Sequence, residues 1–323
     1  MVMNDQSAPV DAAAFAAAVE PFRHELLIHC YRMLGSVQDA EDALQDALVA
    51  AWRGLPHFEG RSSLRTWLYR VTTNRCLNVR RSVLRRREME WNVPAFAPPE
   101  PTRLGEVVWL EPMPTEAGAL DPAHRAEQSE AISLAFVTAL QLLPRRQVAV
   151  LLLRDLLGFP AAEVADMLDT TEHGVHSALK RARASMGRAR EDLPVHEPTT
   201  TADERRTAAA FARAYEDSDL EGLLDLLTDD VFLSMPPMPL EYVGRDLVGQ
   251  FLGLFFATGR RYRLVETEAN GQPAFGVYVR GVDGTFHATG LFVIAIRGDR
   301  VSALTRFESS HLAEFGLPRW LRA

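Results

Sequence analysis

The spacing of apolar positions divides the chain into stretches of different texture. From about residue 20 to 90, apolar side chains recur at helical intervals. "DAEDALQDALVAAWRGL" carries its acids early, alanine and leucine throughout and a glycine near its end, which predicts a helix. "SSLRTWLYRVTTNRCLNV" predicts a second, with Ser62 or Ser63 able to cap it. In that second helix Leu64, Trp67, Leu68 and Val71 fall at i, i+3, i+4 and i+7, an apolar stripe for packing. The same face continues as Asn74, Arg75 and Asn78, so it turns from apolar to donor-rich. Residues 92–125 are proline-rich and lose the periodicity, which predicts a linker with one apolar island at Val107 to Leu110. Helical pattern resumes at about 127 and runs to 192, and "PVHEPTTTADE" is a second linker.

Beyond residue 204 the pattern changes again. One long helix, "ERRTAAAFARAYEDSDLEGLLDLL", leads into short β-rich runs: "VFLSM", "YRLVETEAN", "AFGVYVRG", "FHATGLFVIAIRG" and "RVSALTRFESS". Helices first and a curled antiparallel sheet after predict a multi-domain chain with all-α modules followed by an α+β domain. At 323 residues and 47% hydrophobic composition, two or three globular domains can form. No run reaches the ~18 apolar residues of a membrane span. The first twenty residues hold acids and no base, unlike a secretory signal. Cys30 and Cys76 lie far apart in no metal-like spacing, so reduced thiols and a cytoplasmic location are expected.

Charge sharpens the picture. The formal net charge is -8, yet residues 61–87 hold nine arginines (Arg61, Arg65, Arg70, Arg75, Arg80, Arg81, Arg85, Arg86, Arg87) and no acid. Residues 173–190 form a second basic island, and acids dominate the stretch between them. A helix running into solvent tolerates basic residues at its C-terminal end. Solvated faces normally mix signs, however, and this one does not.

The second island lies in "FPAAEVADMLDTTEHGVHSALKRARASMGRAR". Val164, Met167 and Leu168 mark one short amphipathic helix, "DTTEHG" a turn, and Val175, Leu179, Ala182 and Met186 a second apolar stripe. This is helix-turn-helix spacing. Opposite the second stripe His173, His176, Lys180 and Arg183 share a sector, the basic face that insertion into a major groove requires. His173 and His176 have no third ligand nearby, so no metal is expected there.

Two basic helical islands joined by an acidic linker fit two DNA-contacting modules. "DAEDALQDALVAAWRGLPHFEGRSSLRTWLYRVTTNRCLNVRR" resembles region 2, and "ALQLLPRRQVAVLLLRDLLGFPAAEVADMLDTTEHGVHSALKRARASM" region 4, of the extracytoplasmic-function sigma factors, in the sigma-70 family of bacterial RNA polymerase. The resemblance implies region 2 over 15–90, a linker over 91–126, region 4 over 127–192 and a second linker over 193–203. It implies core RNA polymerase and promoter DNA as partners. Asp42, Gln45 and Trp52 would contact polymerase. Arg61, Ser62, Arg75, Asn78 and Arg81 would serve the −10 element, with the Phe58–Ser63 loop and asparagines reading bases while arginines hold phosphates. His173, His176, Ser177, Lys180 and Arg183 would serve the −35 duplex. The sequence departs from the family at "HGVHSAL", where Ala178 stands in the place of a frequent arginine, which puts the −35 sequence in question.

Residues 204–323 are too many for a tail. "YEDSDLEGLLDLLTDDVFLSMPPMPLEYVGRDLVGQFL" looks like the SnoaL-like fold, a cone of curved sheet and helices shared by ketosteroid isomerases and polyketide cyclases. Sigma factors similar in carrying such a domain tend to have a Trp-Leu-x-Pro motif in the linker, and "WLEP" (Trp109, Leu110, Glu111, Pro112) fits it. Met235, Met238, Tyr242 and His287 are candidates to line a pocket. Proton abstraction would need a carboxylate or histidine facing that pocket. Asp229 and Asp230 sit where acids are ordinary, so a regulatory module without catalytic residues or cofactor is the expectation. A small ligand of the pocket and a separate anti-sigma partner stay open at this point. Two rivals remain: a plain helix-turn-helix regulator, which leaves residues 39–87 unexplained, and a SnoaL-like isomerase or hydrolase fused to a DNA-binding head.

Overall fold

The computed structural model describes residues 12–79, 97–106, 109–115, 131–192 and 201–322. The chain divides into two compact units, one comprising residues up to 81 with 143–186, the other 82–142 with 187 onward.

The first unit begins with α1 (Ala12–Leu34), α2 (Val37–Gly54) and α3 (Leu64–Asn78). Ser36 starts α2 by accepting the Asp39 N–H at 3.0 Å, and Ser63 starts α3 by accepting the Thr66 N–H at 3.0 Å. Each side-chain oxygen satisfies a backbone donor that the first helical turn leaves without a partner. Leu26, Tyr31, Met33, Leu44, Leu68 and Tyr69 fill the space between these helices. The buried stripe of α3 is rotated from the one the sequence suggests. It runs through Leu68, Tyr69, Thr72, Thr73 and Cys76, while Leu64, Trp67 and Val71 are half-buried. One polar contact inside the core accompanies the rotation: Thr73 Oγ1 meets His29 Nε2 at 2.9 Å, so the buried hydroxyl keeps a partner.

Burial holds the His29 imidazole neutral, with its pKa brought down from 6.5 to about 3, and the Arg32 charge adds to the effect. Below pH 6.5 the unfolded chain therefore takes up a proton that the folded chain refuses. Stability from this site is complete above that pH and falls as the pH drops toward 3. From pH 7 to pH 5 the loss is about 2 kcal/mol. His29→Gln, which cannot titrate, is expected to flatten that slope in urea melts at the two pH values, and an unchanged slope would refute the assignment.

The same unit contains α4 (Arg145–Leu151), whose last turn widens into a π-helical turn over Leu152–Leu156, then α5 (Ala161–Met167) and α6 (Glu172–Asp192). Val164, Met167, Leu168, Val175, Leu179, Ala182 and Met186 are all buried, so α5 and α6 pack through the two stripes the sequence marks. Asp169 adopts a left-handed φ of 50° in the turn between them. The Arg145 guanidinium donates to the carbonyls of Cys76 and Val79 at the end of α3, where the helix dipole favours a cation.

The second unit contains α7 (Leu134–Gln141), α8 (Thr201–Glu216), α9 (Leu220–Asp225) and α10 (Arg245–Phe256). Its sheet comprises β1 (Arg103–Leu104), β2 (Leu227–Met235), β3 (Met238–Val243), β4 (Tyr262–Ala269), β5 (Gln272–Arg280), β6 (Phe286–Arg297), β7 (Arg300–Glu308) and β8 (Trp320–Leu321). The order is β1-β3-β2-β7-β6-β5-β4, with β8 paired to β6. β2 and β7 run parallel and the remaining pairs antiparallel. Phe211, Tyr215, Leu233, Phe251, Phe275, Phe292 and Leu304 belong to one packed core. Phe232, Ala295 and Ala303 form a smaller apolar cluster of their own.

The single helix expected over 204–227 is broken. Ser218 takes a left-handed φ of 55°, and Asp219 opens α9 by accepting the Gly222 N–H at 2.9 Å. The Asp-Ser-Asp sequence favours local side-chain caps over continued helix.

Candidate nucleic-acid interface

α2 buries Ala40, Ala43, Leu44, Ala47 and Ala51 and turns the opposite side outward. Asp42, Gln45, Val49 and Trp52 follow one another along that exposed side at helical spacing. Trp52 is 43% exposed and Val49 40%, an apolar patch among polar residues. Val49 was missed in the sequence, although its interval from Asp42 and Trp52 was the available signal.

The loop after α2 carries Phe58 to Ser63. Phe58 stacks at a tilt on Trp67, with ring centroids 4.9 Å apart, which fixes the loop against the first turn of α3. Arg61 and Ser62 are exposed, and Arg61 touches Glu59 at 3.0 Å. At the far end of α3, Arg75 is paired with Asp46 and Asn78 is exposed. Arg81 lies outside the described residues. Two residues of the run have other occupations. Arg65 holds both oxygens of Glu25 and lies over the Tyr69 ring at 4.9 Å, and Asn74 donates its amide to the Met167 carbonyl at 3.0 Å.

On α6, His173, His176, Lys180 and Arg183 are exposed and Ser177 is half-buried, all away from the buried Val175–Leu179–Ala182–Met186 stripe. Thr171 Oγ1 accepts the Gly174 N–H at 3.1 Å in the first turn of the helix. Arg183 is held in a forked pair by Asp155, with N–O distances of 2.8 and 2.7 Å. A basic outward face on the second helix of a helix-turn-helix is suited to phosphates and base edges.

In the second unit the linker is an integral part of the sheet. β1 adds to β3, with Arg103 opposite Glu241 and their side chains paired at 2.6 Å. Trp109 is half-buried, and Leu110 and Pro112 are buried. The turn between β4 and β5 grips the following residues. Asn270 donates its backbone N–H to the Met113 carbonyl and accepts the Met113 N–H on Oδ1, each at 2.8 Å. Its amide donates to the Ile132 carbonyl at 2.7 Å, and Gln272 Oε1 accepts the Leu134 N–H at 3.0 Å, at the start of α7. Gly271 donates to Thr115 Oγ1 at 2.8 Å.

The four pocket candidates do not converge. Met235 and Tyr242 are core residues, and the Tyr242 hydroxyl donates to the Pro99 carbonyl at 3.0 Å. Met238 borders a narrow cleft shared with Leu110, Phe232, Ala295 and Ala303. His287 is about half exposed and pairs with Asp283 at 3.1 Å. Asp229 and Asp230 lie in β2, paired with Arg245 at 2.7 Å and Arg297 at 2.5 Å, and the Arg297 guanidinium holds the Asp230 carboxyl below its usual range. Aromatic side chains, Phe211, Tyr215, Phe256, Tyr262 and Phe292 among them, pack the interior against one another. Among the described residues no group of three His, Cys, Asp or Glu could hold a metal ion, and no helix is long and apolar enough to cross a membrane.

A three-helix module with an arginine- and asparagine-bearing helix, a helix-turn-helix with a basic outward face and a mixed-sheet domain share one chain, the parts of a DNA-directed protein. Family models agree segment by segment: Sigma-70 region 2 matches residues 18–87, Sigma-70 region 4 residues 133–186, and the SnoaL-like domain residues 208–304. The chain is similar to the ECF RNA polymerase sigma factor SigG of Mycobacterium tuberculosis, 39% identical, with 94% of this chain and 84% of the relative covered. SigJ of the same species is 30% identical, with 88% of each chain covered. The crystal structure of Mycobacterium tuberculosis SigJ matches in fold with a TM-score of 0.62 at 23% identity, covering 94% of this chain and all of that one. The chain belongs to the extracytoplasmic-function sigma factors of RNA polymerase, and it carries the SnoaL-like extension.

Proposed function

We propose that this protein is a promoter-specificity subunit that joins core RNA polymerase through the exposed face of α2 and places two reading elements on promoter DNA. Asp42, Gln45 and Trp52 contact the polymerase. Arg61, Ser62, Arg75, Asn78 and Arg81 serve the −10 element, and His173, His176, Ser177, Lys180 and Arg183 the −35 element. One observation carries the reading: the helix-turn-helix presents its basic face outward while a separate helix in the same unit ends on Arg75 and Asn78. A plain regulator has use for the first of these and none for the second.

The chain works in the cytoplasm, without metal or cofactor, and catalyses no reaction of its own. The reading of the C-terminal domain as non-catalytic rests on the sequence candidates for its pocket, which do not come together: Met235 and Tyr242 are core residues and His287 pairs with Asp283 at the surface. That domain regulates by holding the linker and the start of α7, so it sets how far the region 4 helices can travel from region 2.

Trp52→Ala is expected to weaken binding to purified core polymerase at least tenfold, since a large exposed aromatic in a docking face is a typical energetic anchor. Titration of labelled protein with core polymerase reads this directly. Equal affinity for wild type and variant would remove α2 from the interface.

A further inference from the structure

A further concentration of positive charge lies in the second unit, where sequence order hides it. Arg261 stands just before β4 and Arg263 within it, Arg280 ends β5, and Arg319 precedes β8. The sheet gathers these four. Arg261 accepts the Arg280 backbone N–H on its carbonyl at 2.9 Å, Arg280 pairs with Phe286, and Phe286 pairs with Leu321. In the next row Arg263 pairs with Tyr278, Tyr278 with Ala288, and Ala288 donates its N–H to the Arg319 carbonyl at 3.0 Å. Residues two apart on a strand share a face, so both rows present the same side of the sheet. The Arg263 guanidinium lies over the Phe286 ring at 4.8 Å, as that alternation requires. The two rows hold four exposed arginines and no acid, and the exposed Arg260 and Arg322 flank them. Among the described residues Arg261, Arg263, Arg280, Arg319 and Arg322 pair with no carboxylate. Two of the bordering acids have other partners: Glu216 accepts the Leu264 N–H at 2.7 Å, and Asp283 accepts the Thr285 N–H at 3.0 Å and pairs with His287. Asp217 borders the sheet edge beside Arg260 and Arg261. Solvated faces normally mix signs, and this one is sorted.

We propose that this arginine face is a third DNA contact, a sequence-independent grip on duplex phosphates made by the C-terminal domain in the promoter complex. The inference rests on the promoter-reading function above. Three properties select duplex backbone. Guanidinium forks match phosphate oxygens in pairs. Arg261 and Arg263 stand about 6.6 Å apart along the strand, close to the ~6.8 Å that two nucleotides rise on one strand of B-DNA. The rings on this face, Tyr278 and Phe286, are buried, so unstacked bases find no platform there. Phosphate is what the face recognises, and base sequence is not. The net charge of -8 opposes DNA over the chain as a whole, so a contact of this kind has to be local.

The test uses the full chain assembled with core polymerase on a promoter duplex, with affinity measured from about 50 to 200 mM salt. Arg261→Gln/Arg263→Gln/Arg280→Gln/Arg319→Gln is expected to lower affinity about fivefold or more at the low-salt end. The slope of log affinity against log salt should become shallower by about 2–4, since each phosphate contact contributes about 0.9. Arg261→Lys/Arg263→Lys/Arg280→Lys/Arg319→Lys keeps the charge and is expected to stay within about threefold of wild type. Arg261→Gln/Arg280→Gln, which leaves the Arg263 contacts with Phe286 and Arg322 in place, should give about half the change in slope. An unchanged slope in the folded glutamine variants would overturn the proposal. So would a loss confined to affinity for core polymerase without DNA, which would make the face a protein contact. Wild type that forms no promoter complex with polymerase would remove the promoter-specificity reading instead.

Discussion

Asn270→Ala is expected to destabilise the second unit by about 3–7 kcal/mol and to release the linker. Three interactions are lost or strained at once. The Met113 N–H and the Ile132 carbonyl lose their partners inside a fully buried site, and each such buried polar group costs about 1–3 kcal/mol. Asn270 also sits at a left-handed φ of 55°, a conformation that asparagine tolerates and alanine does not, adding about 1 kcal/mol. Asn270→Gly separates the two causes, because glycine adopts that φ freely but cannot bond to Met113 or Ile132 through a side chain. Urea unfolding combined with limited proteolysis of residues 97–133 reads both effects. Alanine and glycine variants that melt like wild type, with an equally protected linker, would show that the turn does not hold it.

The second large effect falls on promoter opening. Arg75→Ala/Asn78→Ala is expected to reduce factor-dependent transcription at least a hundredfold while leaving affinity for core polymerase within twofold. Both side chains lie at the end of α3, far along the helix from its cap at Ser63, and neither contributes to the buried stripe. Their loss should therefore spare folding. On the proposed reading Arg75 would exchange its exposed pair with Asp46, which is worth little in solvent, for a DNA phosphate. Asn78 would, on the same reading, offer amide and carbonyl groups to an unstacked base. A variant that transcribes at the wild-type level would move the −10 contacts elsewhere.

The helical modules were legible because a helix packed on one side declares itself by period. The stripes through Val164 and Met167, and through Val175, Leu179, Ala182 and Met186, are buried as their spacing implies, and the basic face opposite them is exposed. α3 was less legible because it is covered from several directions, so polar Thr72 and Thr73 are buried and Trp67 is shared with the loop. In the second unit, β2 and β4 to β7 announced themselves by β-branched and aromatic runs. β3 did not, since "MPLEYV" carries a proline. β1 is two residues long and has no pattern to read; only its pairing to β3 makes it a strand. The same holds for Asn270. An Asn-Gly turn signals a hairpin, but nothing in one sequence says that its side chain grips a segment more than a hundred residues earlier. His287 was chosen as a candidate from strand alternation, which assigns a side without saying which side is covered. It faces solvent and Asp283.

This chain confers promoter-specific initiation on core polymerase. Run-off transcription on a genomic promoter library, with purified core polymerase and with or without the full chain, tests it most directly. The expected result is a discrete set of transcripts that require the chain and vanish with Arg75→Ala/Asn78→Ala. Promoter binding by a folded chain without any added transcript would contradict the claim and leave a plain helix-turn-helix regulator in its place.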